Sequence, residues 1–236
     1  MKTAIIIPSR MSSKRFPNKP MAKINGIPMI ERVWKQGINS KIGDVYVACS
    51  EDEVFDLISS KGGKAIMTDP NLPSGTDRVF AAFNLLDNKD EYESIINLQG
   101  DMPLIDSINI KSVNIPLENG YDIGTIATDI SSEEEKNENI TKVSIDWKEV
   151  NFVGNSLDFY KFSTKQSSNI YQHVGIYSFK PIALRKFVSL PLSKNEIDRK
   201  LEQLRAIDAG IKIGITYVEN VPISVDTVED LSLIHI

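Results

Sequence analysis

The residues of this 236-residue chain best suited to chemistry begin at its eighth position. The stretch PSRMSSKRFPNKP, residues 8 to 20, carries Arg10, Lys14, Arg15 and Lys19 within ten residues, interleaved with Ser9, Ser12 and Ser13. Closely spaced cations with hydroxyl and backbone donors between them are what a polyphosphate needs. An exposed basic loop has the same composition, so charge density leaves both readings open. The stretch has no glycine, which separates it from the GxxxxGK[ST] phosphate loop and from the GxGxxG dinucleotide fingerprint. Two carboxylates form the second candidate group. Asp101 lies in Gln99-Gly100-Asp101-Met102-Pro103, directly after an apolar run ending at Leu98, and Asp226 lies in Val225-Asp226-Thr227. Two hard oxygen ligands completed by substrate oxygens suit Mg²⁺, which seldom receives an all-protein cage. An Asp after a strand also serves as a turn or helix cap, and spacing alone does not pair these two. No Ser/His/Asp order suggests a covalent intermediate. Cys49, the only cysteine, ends an apolar run and reads as a small core residue.

The elements that must position these groups follow from periodicity. Ala4 to Ile7 is a β-branched run ending at Pro8 and predicts a strand buried on both faces, as in parallel sheets. Helix Met29 to Asn39, strand Val45 to Cys49, helix Glu53 to Lys61, strand Ala65 to Met67, helix Asp77 to Leu86 and strand Ser94 to Leu98 then alternate. That alternation predicts a doubly wound α/β sheet with ligands at the carboxyl ends of its strands, which makes Pro8 to Lys19 and Gln99 to Leu104 the functional loops. The acidic SSEEEKNEN, residues 131 to 139, reads as a solvated loop or helix start. Lys142 to Ile145 and Asn151 to Val153 suit an antiparallel hairpin, and Gly175 to Phe179 another core strand. A helix over Glu196 to Ile207 would carry Ile197, Leu201, Leu204 and Ile207 on one face and stop at Gly210. Strand Ile211 to Val218 follows, and Val225 to Leu231 closes the chain.

Composition limits the partners. With 41% hydrophobic residues the chain can bury one sizeable core. Its formal charge of −5 argues against a general binder of nucleic acid or acidic membrane, because such proteins replace phosphate counterions with excess Lys and Arg. The four-residue apolar run near the start is too short for a signal-peptide core or a membrane span. A cytoplasmic protein is expected.

Taken together, PSRMSSKRFPNKP, LPSGTDR, NLQGDMPLI, QHVGIYSF, KLEQLRAIDAG and VDTVEDL, in that order over residues 8 to 231, resemble the blocks of the CMP-Kdo synthetases. These cytidylyltransferases activate the acid sugar 3-deoxy-manno-octulosonate (Kdo). The resemblance implies a Rossmann-like nucleotidyltransferase fold, α/β, with a mostly parallel central sheet flanked by helices and a small insert or hairpin region. It implies a homodimer that converts CTP and Kdo to CMP-Kdo and pyrophosphate for lipopolysaccharide biosynthesis, with Mg²⁺ as cofactor. Carried over block by block, it gives nucleotide binding to Pro8, Arg10, Ser13, Arg15, Lys19, Ser74, Gly75, Thr76 and Arg78. Gln99, His173, Tyr177, Glu202 and Gln203 would face the sugar acid. Asp101 and Asp226 would hold the metal, and with Lys19 and Arg15 would form the catalytic set. Read without the resemblance, His173 is equally a satisfied core histidine, and Glu202 and Arg205 the polar face of a helix.

The chain departs from the family pattern in three places. It reads QGDMP where the family often has QGDEP, so the metal role falls on Asp101. It reads DFYKFSTKQSSN where relatives carry an Arg-containing segment, in the region tied to the dimer surface. It ends in LSLIHI, which a common sequencing-adapter end encodes. The expected organisation is one nucleotidyltransferase domain over 1–231, with 131–172 as a variable insert or dimerisation region and 232–236 as a non-native tail. The rivals are the same reaction on another acid sugar, such as 8-amino-Kdo or a sialic acid, and a catalytically silent nucleotide-binding regulator. SGTDR and LEQLR favour Kdo over sialic acid, and both aspartates argue against silence. A nicotinamide dehydrogenase would need glycines in the first loop.

Overall fold

In the computed structural model, residues 1–12, 15–148, 153–162 and 169–234 are described. They fall into two compact units, Met1–Lys111 with Pro222–Ile236, and Ser112–Val221.

The first unit is built on β1, Thr3–Pro8, whose six residues are all buried. It pairs in parallel with β4, Gly43–Cys49, on one side and β6, Ser94–Asn97, on the other. Strand β5, Lys64–Met67, adds in parallel to β4. Parallel pairing requires crossovers, and α1 (Met29–Ser40), α2 (Asp52–Ser60) and α3 (Gly75–Asn84) supply them. Each element lies within two residues of its sequence expectation, because β-branched runs and 3.6-residue periodicity both point the same way here. A Cβ on Gly43 would sit 1.9 Å from the Thr3 carbonyl oxygen, so only glycine lets β4 enter in this register. Before α1 the chain makes a two-residue hairpin of β2, Lys23–Ile24, and β3, Ile27–Pro28. Asn25 and Gly26 both take positive φ at its tip, the pattern of an Asn-Gly type I′ turn. Arg32 of α1 donates to the Ile24 carbonyl at 2.6 and 3.0 Å and ties the hairpin down.

In the second unit β7 (Ile123–Thr128), β8 (Lys142–Trp147), β9 (Val153–Tyr160), β10 (Ile170–Phe179) and β11 (Ile213–Tyr217) close into a ring. Only β7 and β11 are parallel; the β7–β10, β8–β9, β8–β10 and β9–β11 pairs are antiparallel. The sheet is therefore mixed, and the expectation of a mostly parallel one describes only the first unit. The expected hairpin is present as β8 and β9, but its second strand is displaced: β9 begins at Val153, where the expected strand ends, and runs to Tyr160, and Asn151 and Phe152 lie outside the described residues. The acidic stretch is exposed and makes one short turn of helix at Glu134–Lys136.

The single helix expected over Glu196 to Ile207 is instead two, Lys194–Arg199 and Leu204–Asp208. Lys200 between them takes φ 56°, which turns the chain back. The Arg205 guanidinium then reaches Glu196, nine residues earlier, with Nε donating at 2.8 Å and Nη2 to the other carboxylate oxygen. In an unbroken helix those residues would be about 13.5 Å apart along the axis. Glu196 also completes a capping box with Ser193, and both members of the ion pair are buried. Ile197 consequently faces solvent at 58% exposure rather than sharing a face with buried Leu204. Gly210 ends the second helix at φ 71° as expected. Arg205→Leu should therefore cost about 3 kcal/mol or more in chemical denaturation, the scale for stranding a buried charge. A loss under about 0.5 kcal/mol would show that the pair does not hold this turn together.

Candidate active site

The carboxyl ends of β1 and β6 open into a cleft of about 460 Å³ in the first unit. Its lining includes Pro8, Arg10, Arg15, Lys19, Ser74, Gly75, Arg78, Gln99, Asp101 and Asp226, so ten of the expected residues come together. Ser13 lies outside the described residues. Thr76 is buried beside the cleft rather than in its lining. Its hydroxyl accepts a hydrogen bond from Asn97 Nδ2 at 3.3 Å, and Gln99 Nε2 donates to Asn97 Oδ1 at 2.8 Å.

The basic loop folds back on itself. Asn18 N–H donates to the Met11 carbonyl at 3.1 Å, and Asn18 at φ 57° starts a short 3₁₀ turn at Lys19–Met21. From the far side Glu51 accepts the Met11 N–H at 3.1 Å and the Ser50 hydroxyl at 2.9 Å. The loop is thus tethered at both ends. Glu51 was not singled out in the sequence, although its place just beyond a buried strand is the same signal that marks Asp101. Ser9, Ser12, Pro20 and Gly100 also line the cleft.

Ser74 caps α3: its hydroxyl oxygen accepts from Asp77 N–H at 3.1 Å and its proton goes to the Asp77 carboxylate at 2.7 Å. The first turn of this ten-residue helix therefore borders the cleft, where unpaired amides and the helix dipole favour an anion. Arg78, 2% exposed, lies one turn on. Its Nη1 donates to the Thr68 hydroxyl, while its Nη2 has no hydrogen-bond partner among the described residues. Burial lowers its proton affinity and the nearby Glu51 charge opposes that shift.

Asp101 and Asp226 meet across Lys19. The Lys19 ammonium donates to Asp101 Oδ2 at 3.2 Å, to Asp226 Oδ1 at 3.3 Å and to the Val225 carbonyl at 3.0 Å. Arg15 Nη2 lies 3.2 Å from the same Asp226 oxygen. The two carboxylate segments are joined by the Val225 N–H, which donates to the Asp101 carbonyl at 2.8 Å. Val225 itself is buried with Phe16, Ile24 and Met29. Burial raises the Asp101 pKa, Lys19 pulls it down, and Asp226 adds to the rise. No group of three His, Cys, Asp or Glu side chains able to hold a metal occurs among the described residues. Two carboxylates and a nearby carbonyl nevertheless fit a hard cation that takes its other ligands from substrate.

Of the sugar-facing candidates, Gln99 lies in the first unit's cleft, and the other four belong to the second unit. His173 and Tyr177 flank a bulge in β10, where the register against β7 shifts between Val174 and Tyr177. The Thr125 hydroxyl fills that bulge, 2.8 Å from the Ile176 carbonyl, 3.1 Å from that of Val174 and 3.0 Å from His173 Nε2. The hydroxyl has one proton and faces two carbonyl acceptors, so the contact to His173 is completed by an Nε2–H donor. Burial pushes the His173 pKa down to about 3, which keeps the ring neutral. Tyr177 stays a neutral phenol, its pKa raised well above the ordinary value by burial and by Glu202. Gln203 is buried and begins the helix Leu204–Asp208, with Glu202 beside it. The Cys49 thiol, buried as expected, is pushed up to about 11 by desolvation.

The strands, the cation-lined cleft and its two carboxylates define the class. A family model described as cytidylyltransferase matches residues 4–213, and the chain belongs to that family. Within it, its kinship is with the 3-deoxy-manno-octulosonate cytidylyltransferases, the CMP-Kdo synthetases. The enzyme of that name from Paramagnetospirillum magneticum is 43% identical over 96% of this chain and 94% of its own length. That from Brucella ovis is 39% identical over 98% and 93%. A solved CMP:2-keto-3-deoxy-manno-octonic acid synthetase complexed with CTP aligns with 100% of this chain and 97% of that one, at a TM-score of 0.90 and 30% identity. A cytidylyltransferase from Leptospira borgpetersenii shares the fold at a TM-score of 0.63 and 18% identity, over 100% of this chain and 85% of that one.

His173 generates a pH prediction. Its folded pKa lies below the unfolded value of 6.5, so the unfolded chain binds the extra proton. The stability tied to its neutral form is complete above pH 6.5 and declines as pH falls toward 3, by about 1.4 kcal/mol per unit. Urea unfolding at pH 6.5 and pH 5 should show a loss of about 2 kcal/mol that His173→Gln largely removes. An unchanged pH dependence in the variant would place the ring in a solvated setting.

Proposed function

We infer that this protein transfers CMP from CTP to the anomeric hydroxyl of Kdo, giving CMP-Kdo and pyrophosphate for lipopolysaccharide biosynthesis. The observation that carries the reading is the cleft in which loop cations and a helix N-terminus converge on two carboxylates, in a chain of the CMP-Kdo synthetase kind. The hydroxyl gives its proton to solvent and its oxygen forms a bond to the α-phosphorus as the bond to the leaving pyrophosphate breaks. Such a transfer asks little covalent work of the protein; positioning two anions and stabilising charge on phosphoryl oxygens lowers the barrier.

Arg10, Arg15 and Lys19 neutralise the triphosphate, with Ser13 and the Gly75 N–H adding donors and Ser74 aiming the helix turn that carries Gly75. Arg78 and Thr76 shape the nucleotide pocket, and Arg15 and Lys19 stabilise departing pyrophosphate. Pro8 sets where the loop leaves its strand. Asp101 and Asp226 hold Mg²⁺, which when bound lowers the pKa of the sugar hydroxyl and offsets phosphate charge. Gln99, His173, Tyr177, Glu202 and Gln203 recognise the sugar acid, with neutral His173 and Tyr177 offering hydrogen bonds rather than charge. The Rossmann-like arrangement, a homodimer and a cytoplasmic setting, where CTP is made, complete the reading. Among the described residues no helix is long and apolar enough to cross a membrane.

The test is pyrophosphate release over four nucleoside triphosphates and a panel of sugars that includes Kdo, 8-amino-Kdo and sialic acid, with and without chelator. CTP with Kdo should exceed every other pair by about tenfold or more, the low end of what one small pocket contact discriminates, and chelator should abolish turnover. Equal turnover with UTP would overturn the nucleotide assignment, and full activity in chelator the metal.

A further inference from the structure

The ammonium of Lys19 occupies the position between Asp101 and Asp226, and this bears on how the site fills. An ammonium has three donors and no acceptor. Here all three have partners, Asp101 Oδ2, Asp226 Oδ1 and the Val225 carbonyl, at 3.0 to 3.3 Å. None is left for a phosphate. Arg15 also leans on Asp226 at 3.2 Å, so two cations of the phosphate loop neutralise the carboxylates. The Lys19 backbone is fixed by its N–H bond to the Phe16 carbonyl and by the 3₁₀ turn it begins. Any change of partner must come from its four-carbon side chain.

We propose that Lys19 is a resident counter-cation: its ammonium holds the Asp101–Asp226 position in the ligand-free protein and is exchanged out when a divalent ion enters, which frees it for the nucleotide phosphates. The inference rests on the metal reading above. A divalent ion held by both carboxylates would draw on the oxygens that the ammonium now contacts, so the two cations would compete for them. The swap keeps the carboxylates neutralised throughout. It also makes metal and nucleotide binding mutually reinforcing, since each is opposed by the same Lys19 contacts. Without metal, CTP must compete with two carboxylates for Lys19.

The experiment titrates Mn²⁺ into the whole protein without nucleotide and reads free Mn²⁺ by electron paramagnetic resonance, for wild type, Lys19→Met, Arg10→Met and Lys19→Met with Asp101→Asn. Arg10 lines the same cleft but pairs with neither carboxylate among the described residues, so it controls for loss of one positive charge. Lys19→Met should bind one Mn²⁺ more tightly than wild type, on the order of tenfold, within the usual range of site coupling. Arg10→Met should gain less than about threefold, and Asp101→Asn should erase the Lys19→Met gain. Equal or weaker binding by Lys19→Met overturns the proposal, as does an equal gain in Arg10→Met. Lys19→Gln, tested alongside with thermal melts, gives the same reading if the methionine variant does not fold. The titration needs no turnover, so failure of the assigned reaction and failure of this exchange are separate results.

Discussion

The constraint on which the site depends is one backbone hydrogen bond, from Val225 N–H to the Asp101 carbonyl. It joins the loop after β6 to a segment more than 120 residues later, and it is protected because Val225 is fully buried against Phe16, Ile24 and Met29. Those three residues come from the basic loop, the Asn-Gly hairpin and the start of α1. The cluster therefore fixes the loop that carries the cations and the segment that carries Asp226 at once. Asp230 strengthens the arrangement by accepting the Asp226 and Thr227 N–H groups at 2.9 Å, so that Asp226 leaves its backbone satisfied and its carboxylate turned to Lys19. Apolar packing, rather than ionic attraction, sets where the charges stand. The charges then decide what the place is for.

That division explains how an acidic protein can hold a triphosphate. A net charge of −5 repels anions over the surface as a whole, yet within the cleft Arg10, Arg15, Lys19 and Arg78 outnumber Asp101 and Asp226. Low-dielectric walls and the first turn of α3 focus the local field. Ser74 is committed to capping that helix, so its contribution is to aim the turn, with Gly75 keeping its backbone approachable beside Pro8.

Much of the first unit was legible because its local signals agree. β1 reads as a buried strand and proves buried at every position; the Asn25-Gly26 turn carries a local signal too, one that the reading of the sequence did not use. The cations and Asp101 sit at strand ends, where a parallel sheet gathers its ligands. What spacing did not carry was long-range geometry. Nothing near Asp226 says that it meets Asp101, because a buried valine and a backbone bond do that work. The break at Lys200 was hidden for a related reason: the apolar spacing of Ile197, Leu201, Leu204 and Ile207 fits an unbroken helix. The attraction of Arg205 for Glu196, a tertiary contact, overrides it. Beyond the β8–β9 hairpin, the closure of the second unit into a ring was likewise invisible, since short apolar runs do not specify their partners. His173 gave no local sign of Thr125, which lies 48 positions earlier.

The central claim is that Asp101 and Asp226 act as one unit around a single cation site. The most direct measurement is a double-mutant cycle on kcat/KM with Asp101→Asn, Asp226→Asn and the double variant, at saturating Mg²⁺ and with melting curves to exclude unfolding. Each single change should lose about 2–4 kcal/mol of transition-state stabilisation, and the double variant should be scarcely worse than either, because groups serving one ion are not additive. Fully additive losses, or near-normal activity in either single variant, would contradict the account.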